Sequence, residues 1–92
     1  MTTKTESLKD LQCIPGVGKS IAEDLYNIGI HQIADLKGRS PELLYDESNA
    51  FAGSVQDRCL LYTFRCAVYF AETPSELQES EKLKWWNWKD IN

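Results

Sequence analysis

Basic residues are in deficit: ten Lys and Arg stand against fourteen Asp and Glu, a formal net charge of -4 at pH 7. A protein that holds nucleic acid by bulk positive charge lies at the other end of this scale, so a nucleic-acid role must rest on a local site. Cysteine is scarce and odd in number. Cys13, Cys59 and Cys66 show no CxxC spacing, which argues against a disulfide framework and a structural zinc centre. Reduced thiols and a polar opening, Met1 to Glu6, lead to the expectation of a cytoplasmic protein without a leader. Long apolar runs are missing too. The densest stretch, Cys59 to Ala71, is too short to span a bilayer and carries Arg65 in its middle, so no membrane association is expected.

Histidine occurs once, at His31, and no Ser-His-Asp or Cys-His pairing sits at a motif. None of the carboxylates falls in an apolar setting that would tune an acid/base pair. Neither an enzyme nor a small-molecule substrate is expected. Gly18-Lys19-Ser20 matches the end of a phosphate-binding Walker loop, but that loop needs Gly where Cys13 stands and a strand before it.

What is present is enough for one domain with a core: 92 residues, 42% of them hydrophobic and 11% aromatic. Helix punctuation dominates. Ser7 precedes Leu8 to Leu11 as a cap, and that segment stops at Pro15-Gly16. Ile21, Leu25 and Ile28 form one helical face over Lys19 to Ile28, closed by Gly29. Ile30, Ile33 and Leu36 suggest a further short turn ended by Gly38. Ser40-Pro41-Glu42 combines an N-cap, Pro at the first helical position and an acid in the first turn. Leu43, Leu44 and Phe51 are expected to be the buried side of that helix, with Gly53 breaking it.

The longest helix is expected from Val55 to about Glu72. It is apolar over most of its circumference, as befits a central helix, with a polar stripe of Arg58, Arg65 and Glu72. Thr73-Pro74-Ser75-Glu76 repeats the helix-start chemistry with a capping-box acid. Residues 81–92 hold Trp85, Trp86 and Trp88. No segment alternates like a strand. The expectation is one all-α domain over residues 1–92, a compact bundle of about five or six short helices.

The most informative stretch is Cys13-Ile14-Pro15-Gly16-Val17-Gly18-Lys19-Ser20-Ile21-Ala22. Two glycines flank one apolar residue between two helices. Glycine tolerates positive φ, so the chain can reverse in few residues, and Val17 can anchor the turn in the core. The N–H groups of the turn and of the next helix's first residues lack intrahelical partners and favour an anion. Ala22 lets the helices approach, and Lys19 adds a positive charge.

Apolar-x-Gly-apolar-Gly with Ala22 four residues on resembles the helix-hairpin-helix family. That resemblance implies sequence-independent contact of the hairpin with DNA phosphate through Gly16, Val17, Gly18, Lys19 and Ser20. It also implies, in some members, a monovalent cation on hairpin carbonyls. No other cofactor and no metal site is expected.

The continuation widens the match: Ile30 to Tyr45, Asp57 to Phe70 and Trp85-Trp86-Asn87-Trp88-Lys89-Asp90. Nearly the whole chain resembles a small bacterial family labelled "pathogenicity locus", loosely mitomycin-resistance-like. This resemblance implies a SAM-like helical domain with an embedded hairpin. Two departures bear on DNA. The second hairpin candidate, Ala52-Gly53-Ser54-Val55, lacks the paired glycine, and Glu23 and Asp24 place negative charge one turn beyond Lys19.

Each candidate also has a plainer reading. The glycines can serve helix packing alone. Arg58 and Arg65 can be auxiliary phosphate contacts or a salt-bridged strip. The three Trp residues can seal the core, meet a partner protein, or stack bases. Cys59 and Cys66, seven apart, are expected to be small core hydrophobes, and His31 a cap or surface residue. The charge is unevenly spread: residues 1–39 carry five basic and five acidic groups, whereas residues 40–52 carry a net of -3. Two functions remain in view, a weak DNA-backbone contact beside another protein, and a protein-interaction module with a purely structural hairpin.

Overall fold

A computed structural model describes residues 3–90. The end of the Trp-rich segment, Ile91 and Asn92, lies outside the described residues. Four α-helices and four 3-10 turns make up the described chain, and no strand occurs among these residues. The all-α class is therefore as the pattern dictates.

Helix α1 spans Lys4–Leu11. Its cap is Thr3, whose hydroxyl accepts from the Glu6 N–H at 3.2 Å. Ser7, expected as the cap, lies inside the helix and is buried. Thr3 and Glu6 hold the spacing of a capping box, a start signal that outranks Ser7. Helix α2 spans Lys19–Asn27 and closes on Gly29 at φ 93°. The Ile30 N–H donates to the Leu25 carbonyl at 3.0 Å and the Gly29 N–H to Tyr26 at 3.1 Å, a Schellman closure with both Ile30 and Leu25 buried. A 3-10 turn at Ile33–Leu36 follows. Asp10 of α1 fixes it by accepting from the Ile33 N–H at 2.8 Å.

Helix α3 spans Pro41–Ala52, capped by Ser40 as its sequence implies and closed by Gly53 at φ 76°. Its inward face is Leu44, Tyr45 and Ser48. Leu43 and Phe51, expected inside, are 59% and 65% exposed. A polar network turns the helix this way. The Tyr45 hydroxyl donates to the Gln56 carbonyl, and the Gln56 side chain donates to the Ser48 hydroxyl at 2.8 Å. Asn49 accepts from the Gln56 N–H at 2.9 Å. The loop after Gly53 is thus stapled to α3 through residues that hydropathy alone would leave outside.

Helix α4 spans Arg58–Glu72 and is the central element. It starts three residues later than expected because Asp57 caps it, accepting from the Cys59 N–H at 2.8 Å, while Val55 is exposed. Leu60, Leu61, Phe64, Ala67 and Val68 are buried on it. It packs against α3, against the 33–36 turn and against the C-terminal turns; α1 packs on α2 and α2 on α3. Core clusters of this kind gain roughly 1.5–3 kcal/mol per fully buried large side chain.

Beyond Glu72 no α-helix forms among the described residues. Ser75–Leu77 is a 3-10 turn with no side-chain cap, so the capping box expected at Thr73 is absent. Two more 3-10 turns follow, Ser80–Leu83 and Trp85–Trp88. No 3.6-residue apolar face is available to bury here. Side chains reel the segment along α4 instead. The Gln78 amide donates to the carbonyls of Phe70 and Thr73, and the Glu79 N–H donates to the Tyr69 hydroxyl at 2.8 Å. None of the described helices is long and apolar enough to cross a membrane.

Candidate functional site

The connection between α1 and α2 runs from Gln12 to Gly18. Ile14 is buried, and the Val17 N–H donates to its carbonyl at 3.0 Å. Val17 is itself only 5% exposed, so the turn is pinned at two apolar points with Pro15 and Gly16 between them. Gly16 sits at φ 85°. Gly18 does not share that conformation: it is the extended N-cap of α2 at φ -91°, and no side chain caps the helix. Only one of the two glycines therefore uses the left-handed region. Ala22 is fully buried, and its N–H donates to the Gly18 carbonyl at 2.9 Å, the first bond of the helix. Gly18, Lys19 and Ser20 are exposed. The N–H groups that open α2 thus belong to exposed residues and have no side-chain cap.

Trp85 covers one side of this turn. A Cβ built on Gly16 would lie 3.1 Å from Trp85 Cδ1. Trp86 packs edge-on against Trp85, with ring centroids 5.8 Å apart, and is 50% exposed. The Trp88 Nε1–H donates to the Lys82 carbonyl at 2.8 Å, and its ring lies 5.6 Å from that of Tyr69. The segment does fold back on α4, but none of the three rings enters the buried core. Three closely spaced indoles cannot all point inward from a 3-10 turn lying at the edge of one helix.

Arg58 and Arg65 are held in a clasp that no local spacing reveals. Asp90 pairs with Arg58 and with Arg65 Nη2, the latter at 2.9 Å. Arg65 also meets Glu42 at 3.1 Å and donates to the Trp88 carbonyl at 2.8 Å. Both guanidinium groups lie near the Tyr62 ring, at 6.0 and 5.7 Å from its centre. Hydrogen bonds from Arg58, and next from Arg65, hold the Asp90 carboxyl below its usual range. Glu72, third in the stripe, accepts from the Gly38 N–H at 2.7 Å. The stripe ties the tail and the 36–40 loop to α4. Asp90 and Glu42 are the members that sequence reading missed; the chain reversal after Glu72 brings Asp90 to the arginines, and the packing of α3 on α4 brings Glu42 to Arg65.

Cys66 is buried, whereas Cys59, expected in the core, is exposed like Cys13. Burial pushes the Cys66 thiol up to about 11. His31 is exposed and stacks on Tyr26, with ring centroids 4.4 Å apart. Burial, and then the neighbouring Glu23 charge, raise the Asp24 carboxyl above its ordinary value. Among the described residues, no three His, Cys, Asp or Glu side chains converge as a metal site would need.

A helical domain wrapped on one central helix, with a glycine turn projecting an uncapped helix start, is the class these observations define. The family model described as "Pathogenicity locus" matches residues 4–92, and the chain belongs to that family. The "Mitomycin resistance protein McrB" of Streptomyces lavendulae is similar to it, 43% identical over 63 residues. That alignment covers 68% of this chain and 60% of the relative, so less than two thirds of the relative's length is spanned. No solved structure gives a significant match.

Proposed function

We propose that this chain is a non-enzymatic helix-hairpin-helix module that contacts the DNA backbone weakly and without sequence preference, beside a partner that supplies affinity or chemistry. One observation carries the reading. Val17 is buried while Gly18, Lys19 and Ser20 are exposed at a helix start with no side-chain cap. Phosphate oxygens would accept from those N–H groups, and the helix dipole and Lys19 would favour the charge. Lys19 has no ion-pair partner among the described residues. Arg58 and Arg65 add little to this contact, because Asp90 and Glu42 already match their charge. Glu23 and Asp24 oppose it. The contact is therefore weak and salt-sensitive.

The family resemblance also implies a monovalent cation on the hairpin. The Streptomyces relative's name specifies no ligand, so the reading rests on the turn.

Fluorescence anisotropy with labelled duplex and single-stranded DNA, at low and moderate salt, tests it. Binding at low salt that Lys19→Glu abolishes is the expected result. No binding at low salt, or equal binding by the variant, sinks the reading.

A second reading, a protein-interaction module with a structural hairpin, is favoured by the exposed Trp86 and by Phe51 on the acidic helix α3. It predicts loss of partner capture on Trp86→Ala with no effect of Lys19→Glu.

A further inference from the structure

A pocket of about 320 Å³ opens beside the glycine turn. Its size falls at the lower end of small-molecule sites, which run ~300–1,000 Å³. Four separate parts of the chain build it. Ile21 and Asp24 come from one face of α2, the stretch from Gln56 to Thr63 supplies Cys59 and Leu60 at the start of α4, and Gly16 of the turn and Trp85 of the tail add the rest. The apolar surfaces are the Ile21 and Leu60 side chains and the indole.

The polar groups in the lining differ in one respect. The Thr63 hydroxyl donates to the Cys59 carbonyl at 2.9 Å. The Gln56 amide is spent on Ser48 and Asn49. Asp57 caps α4 through the Cys59 N–H. Asp24 alone among the charged lining groups has neither a hydrogen bond nor an ion pair to any described residue. It is also partly withdrawn from water, and burial and Glu23 both disfavour its charged form, a cost that a cation would relieve. The Lys89 charge reaches the Cys59 thiol in the lining. Against it stand Asp24, Asp57 and Glu23.

We infer that this pocket binds a small organic cation: a protonated amine held by Asp24, carrying an apolar or aromatic body that lies between Ile21, Leu60 and the Trp85 indole. A hard metal ion does not suit the site. Such ions need several oxygen ligands, and apolar side chains fill most of the walls. An anion is excluded by the two lining carboxylates. The amine supplies charge-assisted hydrogen bonds to Asp24, while the body removes apolar surface from water. Because Trp85 is also the ring pressed on Gly16, occupancy is reported by the turn itself. The site stands independently of the DNA reading.

The test uses the full chain, isotopically labelled, titrated with 2-phenylethylamine, 2-phenylethanol and phenylacetate at constant salt and pH 7. Saturable shifts of the Gly16, Asp24, Cys59 and Leu60 amides and of the Trp85 indole N–H are expected with the amine. The alcohol should bind roughly tenfold more weakly, as loss of one charge-assisted contact implies, and the carboxylate not at all. Asp24→Asn should erase the preference for the amine while leaving the rest of the spectrum in place. Cys59→Phe, at an exposed position, should fill the pocket and abolish binding of both the amine and the alcohol. Equal affinity for the amine and the alcohol, unchanged preference in Asp24→Asn, or no saturable shift at the pocket residues each overturns the assignment.

Discussion

The indole of Trp85 rests on the α-carbon of Gly16: a methyl group placed there would lie 3.1 Å from Trp85 Cδ1. Gly16 is also at φ 85°, where a side chain is strained whatever the space. Gly16→Ala should therefore destabilise the fold by ~1–2 kcal/mol from the left-handed backbone alone, with the clash added. Gly18 has nothing within 4 Å of a built Cβ and an ordinary φ, so Gly18→Ala should stay within about 0.5 kcal/mol as lost capping and reduced chain entropy offset. Urea midpoints of the two variants, with tryptophan emission read alongside, check the contrast.

The core should respond to α4 far more than to α3's outer face. Phe64 is fully buried and Phe51 is 65% exposed. Phe64→Ala is expected to cost about 3–5 kcal/mol, a large part of the ~5–15 kcal/mol that holds a small domain together. Phe51→Ala should change stability by about 0.5 kcal/mol or less. Chemical denaturation of both variants decides it.

Acid should loosen the C-terminal clasp before it unfolds the core. Arg58 and Arg65 depress the Asp90 pKa in the folded protein. A depressed carboxyl stabilises above its unfolded value, ~3.9, and that contribution is lost as pH falls through the folded value. Tryptophan emission should therefore shift at acid pH while helicity persists. Asp90→Asn should show the loosened emission already at neutral pH and flatten the acid change. Identical titrations of the two proteins would refute the clasp.

Asp24 should behave with the opposite sign. Its folded pKa is raised by burial and by Glu23. A raised carboxyl destabilises the fold above that pKa, where it is charged. Asp24→Asn should thus raise Tm at pH 7. The gain should shrink as pH falls through the raised folded value and vanish below the unfolded one, ~3.9. Calorimetry at several pH values reads this directly.

The three thiols should separate by rate. Cys13 and Cys59 are exposed and Cys66 is buried with its thiol pushed up to about 11. Alkylation at pH 8 should modify Cys13 first. Cys59 should be slower, because Asp57, mainly by hydrogen bonding, and then burial raise its pKa. Cys66 should react only on unfolding. Mass spectrometry after timed quenching resolves the order.

Local signals were legible wherever the chain's own neighbours decide conformation. Ser40-Pro41, Gly29, Gly38 and Gly53 each end or begin an element where the residue type demands. The Gly16-Val17-Gly18 turn with Val17 inside was likewise legible, because a buried apolar residue between two helices has one place to go. Ser7 misled because Thr3 and Glu6 form a competing cap inside a polar stretch that carries no apolar period. Leu43 and Phe51 misled because hydropathy assigns them inward, whereas hydrogen bonds of Tyr45 and Ser48 to Gln56 orient α3 otherwise.

The sequence by itself determined the all-α class, the central helix, the glycine turn and the family. The first three follow from residue spacing within about one or two helical turns, where the backbone's periodicity converts order into geometry, and the family follows from resemblance along nearly the whole chain. Only the tertiary structure decided where the tail goes. It set Asp90 between Arg58 and Arg65, laid Trp85 on Gly16, and enclosed a pocket between α2, α4 and that indole. Those contacts join residues 25 to 69 positions apart. Their partners are chosen by which surfaces remain unburied once the core has formed, and no local pattern encodes that choice. The charge of -4 looks different in consequence: part of the acidity neutralises the arginines on α4, and Lys19 at the glycine turn has no ion-pair partner among the described residues.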